Sequence, residues 1–305
     1  MKVNLRLIPV LLLAGTILFT GCEKDEDPMP PAEKNLVEVA QEAGQFSILI
    51  QAAQKAGLAD FLATENNITV FAPTNAAFTA LLSDLGVNSL DDIDATTLGD
   101  ILKYHVVGSK AMSTDLSTGY YPTLATFNGN PISMYISLES GVSINKDVMV
   151  TDADIQASNG VIHVVDKVIL PPTVVNIALD NENFTTLVQA VVKAGLVDVL
   201  NGEGPFTVFA PTNAAFDALF TQLGISGIDD LTAEQLVPIL TYHVVSGNVL
   251  STDLSAGEVG TLNEGKKLTV NLSSGVKIND SEVVAADIQG SNGVVHVIDQ
   301  VLIPQ

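Results

Sequence analysis

The chain has 305 residues, 13 basic and 35 acidic side chains and a formal charge of −22. Arg6 is its only arginine, so the guanidinium forks and basic patches that nucleic-acid recognition leans on are missing, and nucleic acid is excluded as a partner. Apolar residues make up 47%, enough for real cores, and the single Cys forbids an intramolecular disulfide.

In chain order, Lys2 and Arg6 precede an apolar run from Leu7 to Phe19. That run fits a secretory leader and is too short for a membrane-spanning helix, which needs about 20 residues. It ends in Leu18-Phe19-Thr20-Gly21-Cys22, which resembles a bacterial lipobox; the resemblance implies cleavage before Cys22 and lipidation of its thiol. Residues 22–35 have the composition of a solvated tether, and the run Glu23-Lys24-Asp25-Glu26-Asp27 is similar to a cell-surface export signal of some Gram-negative lipoproteins.

Beyond the tether, Phe46, Leu49, Ile50 and Ala53 keep helical spacing, with Gly57 placed as a C-cap. Ile68–Phe71 reads as a strand stopped by Pro73. Thr74 then N-caps a helix carrying Phe78, Leu81 and Leu82. Asp91, Asp92 and Asp94 crowd a turn before a helix with Leu98, Ile101, Leu102 and His105 on one face. The period then changes. Segments 123–127, 132–136, 142–145 and 148–151 read as strands, and Asn159-Gly160 turns into a buried central strand over 161–170.

The pattern occurs twice. Phe71-Ala72-Pro73-Thr74-Asn75-Ala76-Ala77-Phe78 recurs unchanged as Phe209–Phe216, Tyr104-His105 as Tyr242-His243, and Thr114–Ser117 as Thr252–Ser255. The second copy is shorter beyond Ser255. The organisation is a leader (1–21), a tether (22–35) and two domains (36–172 and 173–305), joined by little more than Pro171-Pro172-Thr173 and so semi-rigid neighbours. The fold class is α+β: a β-sandwich or folded sheet with helices packed along one edge.

Three blocks resemble the fasciclin domain: Thr69–Phe78, the Tyr104-His105 pair, and Ala153-Asp154-Ile155 with Ser158–Asp166. Each recurs in the second copy, where the last block is Ala286-Asp287-Ile288 with Ser291–Asp299. The resemblance implies a wedge of strands with helices along one edge and a role in extracellular adhesion. It also links the Tyr-His segments to partner binding. The matching candidates are Ile101, Leu102, Tyr104 and His105, then Ile239, Leu240, Tyr242 and His243, with Val106, Val107, Val244 and Val245 beside them. Packing of the helix onto the sheet is the favoured reading of the same residues.

Catalytic chemistry finds little footing. The four His sit on apolar faces or mid-strand, the pattern of hydrogen-bonded core imidazoles rather than of a dyad with Asp166 or Asp299. No H-x-x-x-H pair, Cys ligand set or G-x-S-x-G elbow occurs, and Asp91/Asp92 and Asp229/Asp230 read as turn acids. The expectation is a surface-exposed, outer-membrane lipoprotein with no catalytic residue, metal or cofactor. It would touch the membrane through its anchor alone and bind extracellular protein or matrix polymer, with homophilic contact possible. The alternative is a polysaccharide-capture accessory, for which Tyr120, Tyr121 and Tyr135 are available.

Overall fold

Three short helices open the first copy: α1 (Leu36–Ala43), α2 (Ser47–Lys55) and α3 (Ala59–Thr64). The computed structural model describes residues 33–305; the leader, Cys22 and the run at 23–27 lie outside the described residues. α1 starts on a capping box in which Asn35 accepts from Val37 N and Glu38 N while Glu38 reaches back to the Asn35 amide. Asn35 and Lys34, read as tether, therefore belong to the domain. Gly57 follows α2 at φ 70°, where a left-handed residue ends a helix without a Cβ penalty.

β1 (Ile68–Pro73) then leads into α4 (Asn75–Asp84). The repeated Thr-Asn pair caps two helices at once. Thr74 Oγ1 accepts from Ala77 N to start α4, and Asn75 Oδ1 accepts from Ile48 N to start α2. Phe71 points into the strand layer and Phe78 into the helix layer, both fully buried. Asp94 caps α5 (Ala95–Tyr104) through Thr97 N at 2.9 Å.

The strands β2 (Val106–Val107), β3 (Gly119–Phe127), β4 (Asn130–Ser137), β5 (Ser143–Ile144), β6 (Val148–Ala157) and β7 (Gly160–Val165) follow. They pair in chain order and close because β1 lies antiparallel to β2 and parallel to β7. The α+β class expected from sequence holds, and in this domain the folded sheet closes into a barrel. β7 is central and buried along its length, as its unbroken apolar run requires. It ends at Val165 rather than Leu170, because Asp166 turns aside to accept from Met149 N. A helix-facing cluster around Phe46, Phe78, Leu98 and Ile162 and a barrel-interior cluster around Phe71, Tyr104, Met134 and Ile136 form the core.

The second copy repeats this order with α6 (Val174–Asp180), α7 (Thr185–Lys193), α8 (Val197–Leu200), β8 (Phe206–Pro211), α9 (Asn213–Leu223) and α10 (Ala233–Tyr242). Then come β9 (Val244–Ser246), β10 (Gly257–Gly260), β11 (Lys267–Asn271), β12 (Lys277–Ile278), β13 (Ser281–Gln289) and β14 (Gly293–Ile298). The hairpin β10–β11 is clipped relative to β3–β4, so β9 and β10 form no ladder and the sheet stays open between them.

One side chain per domain ties the front helices to the last strand. Buried Asn159 accepts from Leu36 N at 2.9 Å and donates to Leu62 O at 3.0 Å and Glu65 O at 2.7 Å. Asn292 does the same with Val174 N, Leu200 O and Gly202 O. The glycine after each Asn is required by close approach: a Cβ on Gly160 would lie 2.3 Å from Ile68 O, and one on Gly293 2.2 Å from Phe206 O. Asn159→Ala strands an amide and two carbonyls, so urea unfolding should show a loss of about 3 kcal/mol, at roughly 1 kcal/mol or more per buried orphaned group. A loss under about 1 kcal/mol would mean water replaces the clasp.

Candidate functional site

Tyr104 ends α5 inside the barrel. Its hydroxyl donates to Ser133 O at 3.0 Å and accepts from Asn145 Nδ2 at 2.9 Å. Asn145 takes a left-handed turn conformation, φ 45°, which asparagine tolerates better than most residues. Tyr242 repeats the arrangement with Lys267 O and Asn279. Burial pushes the Tyr104 hydroxyl well above the usual phenol range.

His105 follows as the helix C-cap. Its Nε2 accepts from Ile169 N at 2.9 Å, so Nδ1 carries the proton and donates to Ile101 O at 2.8 Å. His243 likewise joins Leu302 N to Ile239 O. Burial holds both rings down at about 4, with the carbonyl bond pulling weakly the other way. Each is a neutral staple between a helix end and the tail of its own domain.

Of the two readings of these segments, packing onto the sheet and presentation to a partner, the side chains take the first position. Ile101, Leu102, Tyr104, His105, Leu240, Tyr242 and His243 are all buried and Ile239 is half-buried. The helix must turn these side chains inward to fill the space over the sheet, and a partner cannot reach them without opening the core.

The last-block histidines are also engaged. His163 Nδ1 accepts from Asp154 N at 3.2 Å and Nε2 faces Ala111 O at 2.9 Å; His296 does the same with Asp287 N and Val249 O. Asp154 and Asp287 sit at positive φ and clamp Ser113 and Ser251 by both backbone amide and hydroxyl. The Ser113 bonds hold the Asp154 carboxyl below its ordinary range. Asp166 and Asp299 instead accept from Met149 N and Glu282 N. Both ring nitrogens of every His are thus spent on backbone groups, leaving none of the four imidazoles free as a base or a ligand. Asp92 and Asp230 cap turn amides, at Ser89 and Ser226. Among the described residues no group of three or more His, Cys, Asp and Glu could hold a metal ion.

What the molecule presents is a fixed pair. Ser291 donates to Pro172 O from both N and Oγ, pinning the linker. Gln289 N donates to Ser133 Oγ at 3.1 Å across the interface, one residue's width from the Tyr104 bond to Ser133 O. Tyr120 packs against the second domain's core, meets Tyr135 at a tilt of 47° with ring centroids 4.9 Å apart, and its hydroxyl accepts from Asn181 Nδ2. Burial pushes Tyr120 up to about 12. Sequence gave no signal for Ser133, Gln289 or Asn181, because their partners lie on the other domain. Beside the interface, burial first and the Asp147 charge second push Asp180 up to about 7.

Two pH effects follow. His105 and His243 fold neutral but charge near pH 6.5 when unfolded, so stability is full above pH 6.5 and drains as pH falls through 4, by about 3 kcal/mol per ring at one pKa unit per 1.36 kcal/mol. Denaturant titrations from pH 7 to 4 should show the loss, and NMR should show neither ring titrating above pH 5; a ring that does is not buried. Asp180 has the opposite sign. Its raised pKa costs stability as pH climbs from about 4 to 7, so Asp180→Asn should melt higher than the parent at pH 8 and match it at pH 4. Equal melting at both pH values would remove the strain.

A fasciclin-domain family profile matches residues 44–171 and 182–304. Protein sll1483 of a Synechocystis strain is 50% identical over 133 residues, which is 43% of this chain and 73% of that protein. Transforming growth factor-beta-induced protein ig-h3 of Sus scrofa is 33% identical over 298 residues, 97% of this chain but only 41% of its own length. The solved FAS1 domain pair of the insect cell adhesion molecule fasciclin I shares the fold with a TM-score of 0.54, covering 86% of this chain and 98% of that one at 18% identity. With the profile spanning both halves and the fold shared with a solved domain pair, the chain belongs to the fasciclin domain family and carries two tandem copies of its domain.

Proposed function

We propose that the chain is a lipid-anchored adhesion module of the outer membrane, surface-exposed, that holds an extracellular protein or matrix polymer. The observation that carries this is the saturation of all four His by backbone partners, which leaves shape and surface chemistry as the means of action. Fasciclin I, whose domain pair shares this fold, is a cell adhesion molecule, which supports the same class. The leader and Cys22 motif support the anchor, and the fixed domain pair supports one rigid surface; two such domains engaging one polymer would gain avidity.

Polysaccharide capture is the weaker reading. Tyr120 is spent on the domain interface and Tyr121 on Ser117, so two of the three rings available for sugar stacking are engaged. Deleting residues 36–305 behind the intact leader should abolish cell aggregation and attachment to protein-coated surfaces. Cys22→Ala should end palmitate labelling and release the protein from the membrane fraction. Attachment unchanged by the deletion rejects adhesion, and membrane retention of the Cys22 variant rejects the lipid anchor.

A further inference from the structure

The two domains differ at one place in a way that names a ligand. In the first, Tyr121 lies on β3 opposite Met134, its ring packed against the barrel-interior cluster. Its hydroxyl accepts from Ser117 N at 2.8 Å, donates to Ser117 O at 3.0 Å and lies 3.1 Å from Ser117 Oγ. In the second domain the register is the same. Gly257 faces Val270 as Gly119 faces Ile136, and Val259 faces Leu268 as Tyr121 faces Met134. Valine thus stands where the tyrosine stood, while Ser255 keeps the place of Ser117 within the repeated Thr-Asp-Leu-Ser.

The consequence is a cavity of about 250 Å³, floored by Phe209, Leu268 and Val270, walled by Val259 and Leu254, and rimmed by Ser255. The change of lining shows in burial: Leu116 is buried beneath Tyr121, whereas its counterpart Leu254 is partly open. An apolar cavity of about 150 Å³ already takes up benzene, so this one has room for a phenol ring. Its polar rim holds Ser255, the counterpart of the residue that the first domain uses to hold a phenol hydroxyl, together with Asp253 and Glu258, the latter already paired with Lys267. β10 is also the end strand of the open sheet, so an extended segment can approach along it.

We propose that this cavity is a binding site for the tyrosine side chain of an extended segment of a partner protein, the first domain's Tyr121 being its built-in occupant. The assignment rests on the adhesion reading and names the partner chemistry within it. The ring fills the apolar floor and the hydroxyl meets Ser255. No bond is made or broken.

The test is calorimetric titration of the full chain in detergent with N-acetyl-tyrosinamide, N-acetyl-phenylalaninamide and p-cresol. Saturable binding of tyrosinamide at one site is expected, about fivefold tighter than phenylalaninamide, the worth of one net hydrogen bond of about 1 kcal/mol. Val259→Tyr should abolish it and raise the Tm by filling the cavity. Tyr121→Val should open the sister cavity and bring the stoichiometry to two. Ser255→Ala, at an exposed position where folding is not at stake, removes the hydroxyl but keeps the amide and carbonyl that hold the phenol at Ser117, so it should narrow the preference for tyrosinamide over phenylalaninamide without erasing it. No saturable binding, or binding unaffected by Val259→Tyr, overturns the site. Binding of p-cresol as tight as that of tyrosinamide overturns the partner side chain in favour of a free phenol. Tyrosinamide binding alongside unchanged attachment on domain deletion sinks the adhesion reading while leaving the cavity; the reverse pattern sinks the cavity alone.

Discussion

The asparagine clasp is the constraint on which each domain's architecture depends. α1 and β7 are far apart in sequence, yet Asn159 takes the first free amide of α1 and the last free carbonyls around α3 in one side chain. Helix ends buried without partners are costly, so these ends can be buried only where such a side chain stands. The position of Asn159 is set by the parallel pairing of β1 with β7, which the Gly160 contact with Ile68 O makes close enough to work. The buried helix starts, the closed barrel and the His105 staple to Ile169 all follow from having β7 in that place. Asn292 and Gly293 show the same logic carried out a second time.

Periodicity and caps made the larger elements legible. Thr74, Asp94 and Gly57 act locally, within three or four residues, and local chemistry is what a sequence displays. α1 and the two-residue β2 escaped because a capping box on Asn35 and a pair of valines carry little periodic signal. The overlong last strand came from an apolar run at 168–170 that leaves the ladder, Val168 and Ile169 packing into the core and Leu170 standing exposed. The turn at Asn159-Gly160 was visible, but its clasp was not, since its three partners arrive from elsewhere in the chain. The Tyr-His segments show the limit most sharply: an apolar stripe ending in Tyr-His reads alike whether it faces a sheet or a partner, and only the bonds to Asn145 and Ile169 decide.

Duplication left the frame intact and let the two surfaces drift. The paired domains meet head to tail: Tyr120 and Ser133 of the first meet Asn181 and Gln289 of the second. Such a heterologous contact leaves the pair with one unused copy of each face, and repetition would extend it into an open chain or, if the rotation closes, a ring. The second domain's copy of the Tyr120–Ser133 face is therefore the place where extension has to be stopped.

The register shows how. Glu258 pairs with Thr269 as Tyr120 pairs with Tyr135, and Lys267 faces Gly260 as Ser133 faces Pro122. The aromatic anchor has become Glu258 and the small acceptor Lys267, and the two form an exposed ion pair at 2.9 Å. An exposed pair adds little stability, but burying it under a third domain would strip both charges of water with no apolar surface gained. At the first domain's other end, Gln156 stands exposed where Gln289 is buried, and Ala43 occupies the place of Asn181. Without the amide that meets the Tyr120 hydroxyl, that end offers a second copy only part of the dock. Glu258, which stands on β10 where Tyr120 stands on β3, lies one residue from Val259. Blunting the extension face and uncovering the cavity are thus neighbouring events on one strand, and they leave the second domain with the more open chemistry of the pair.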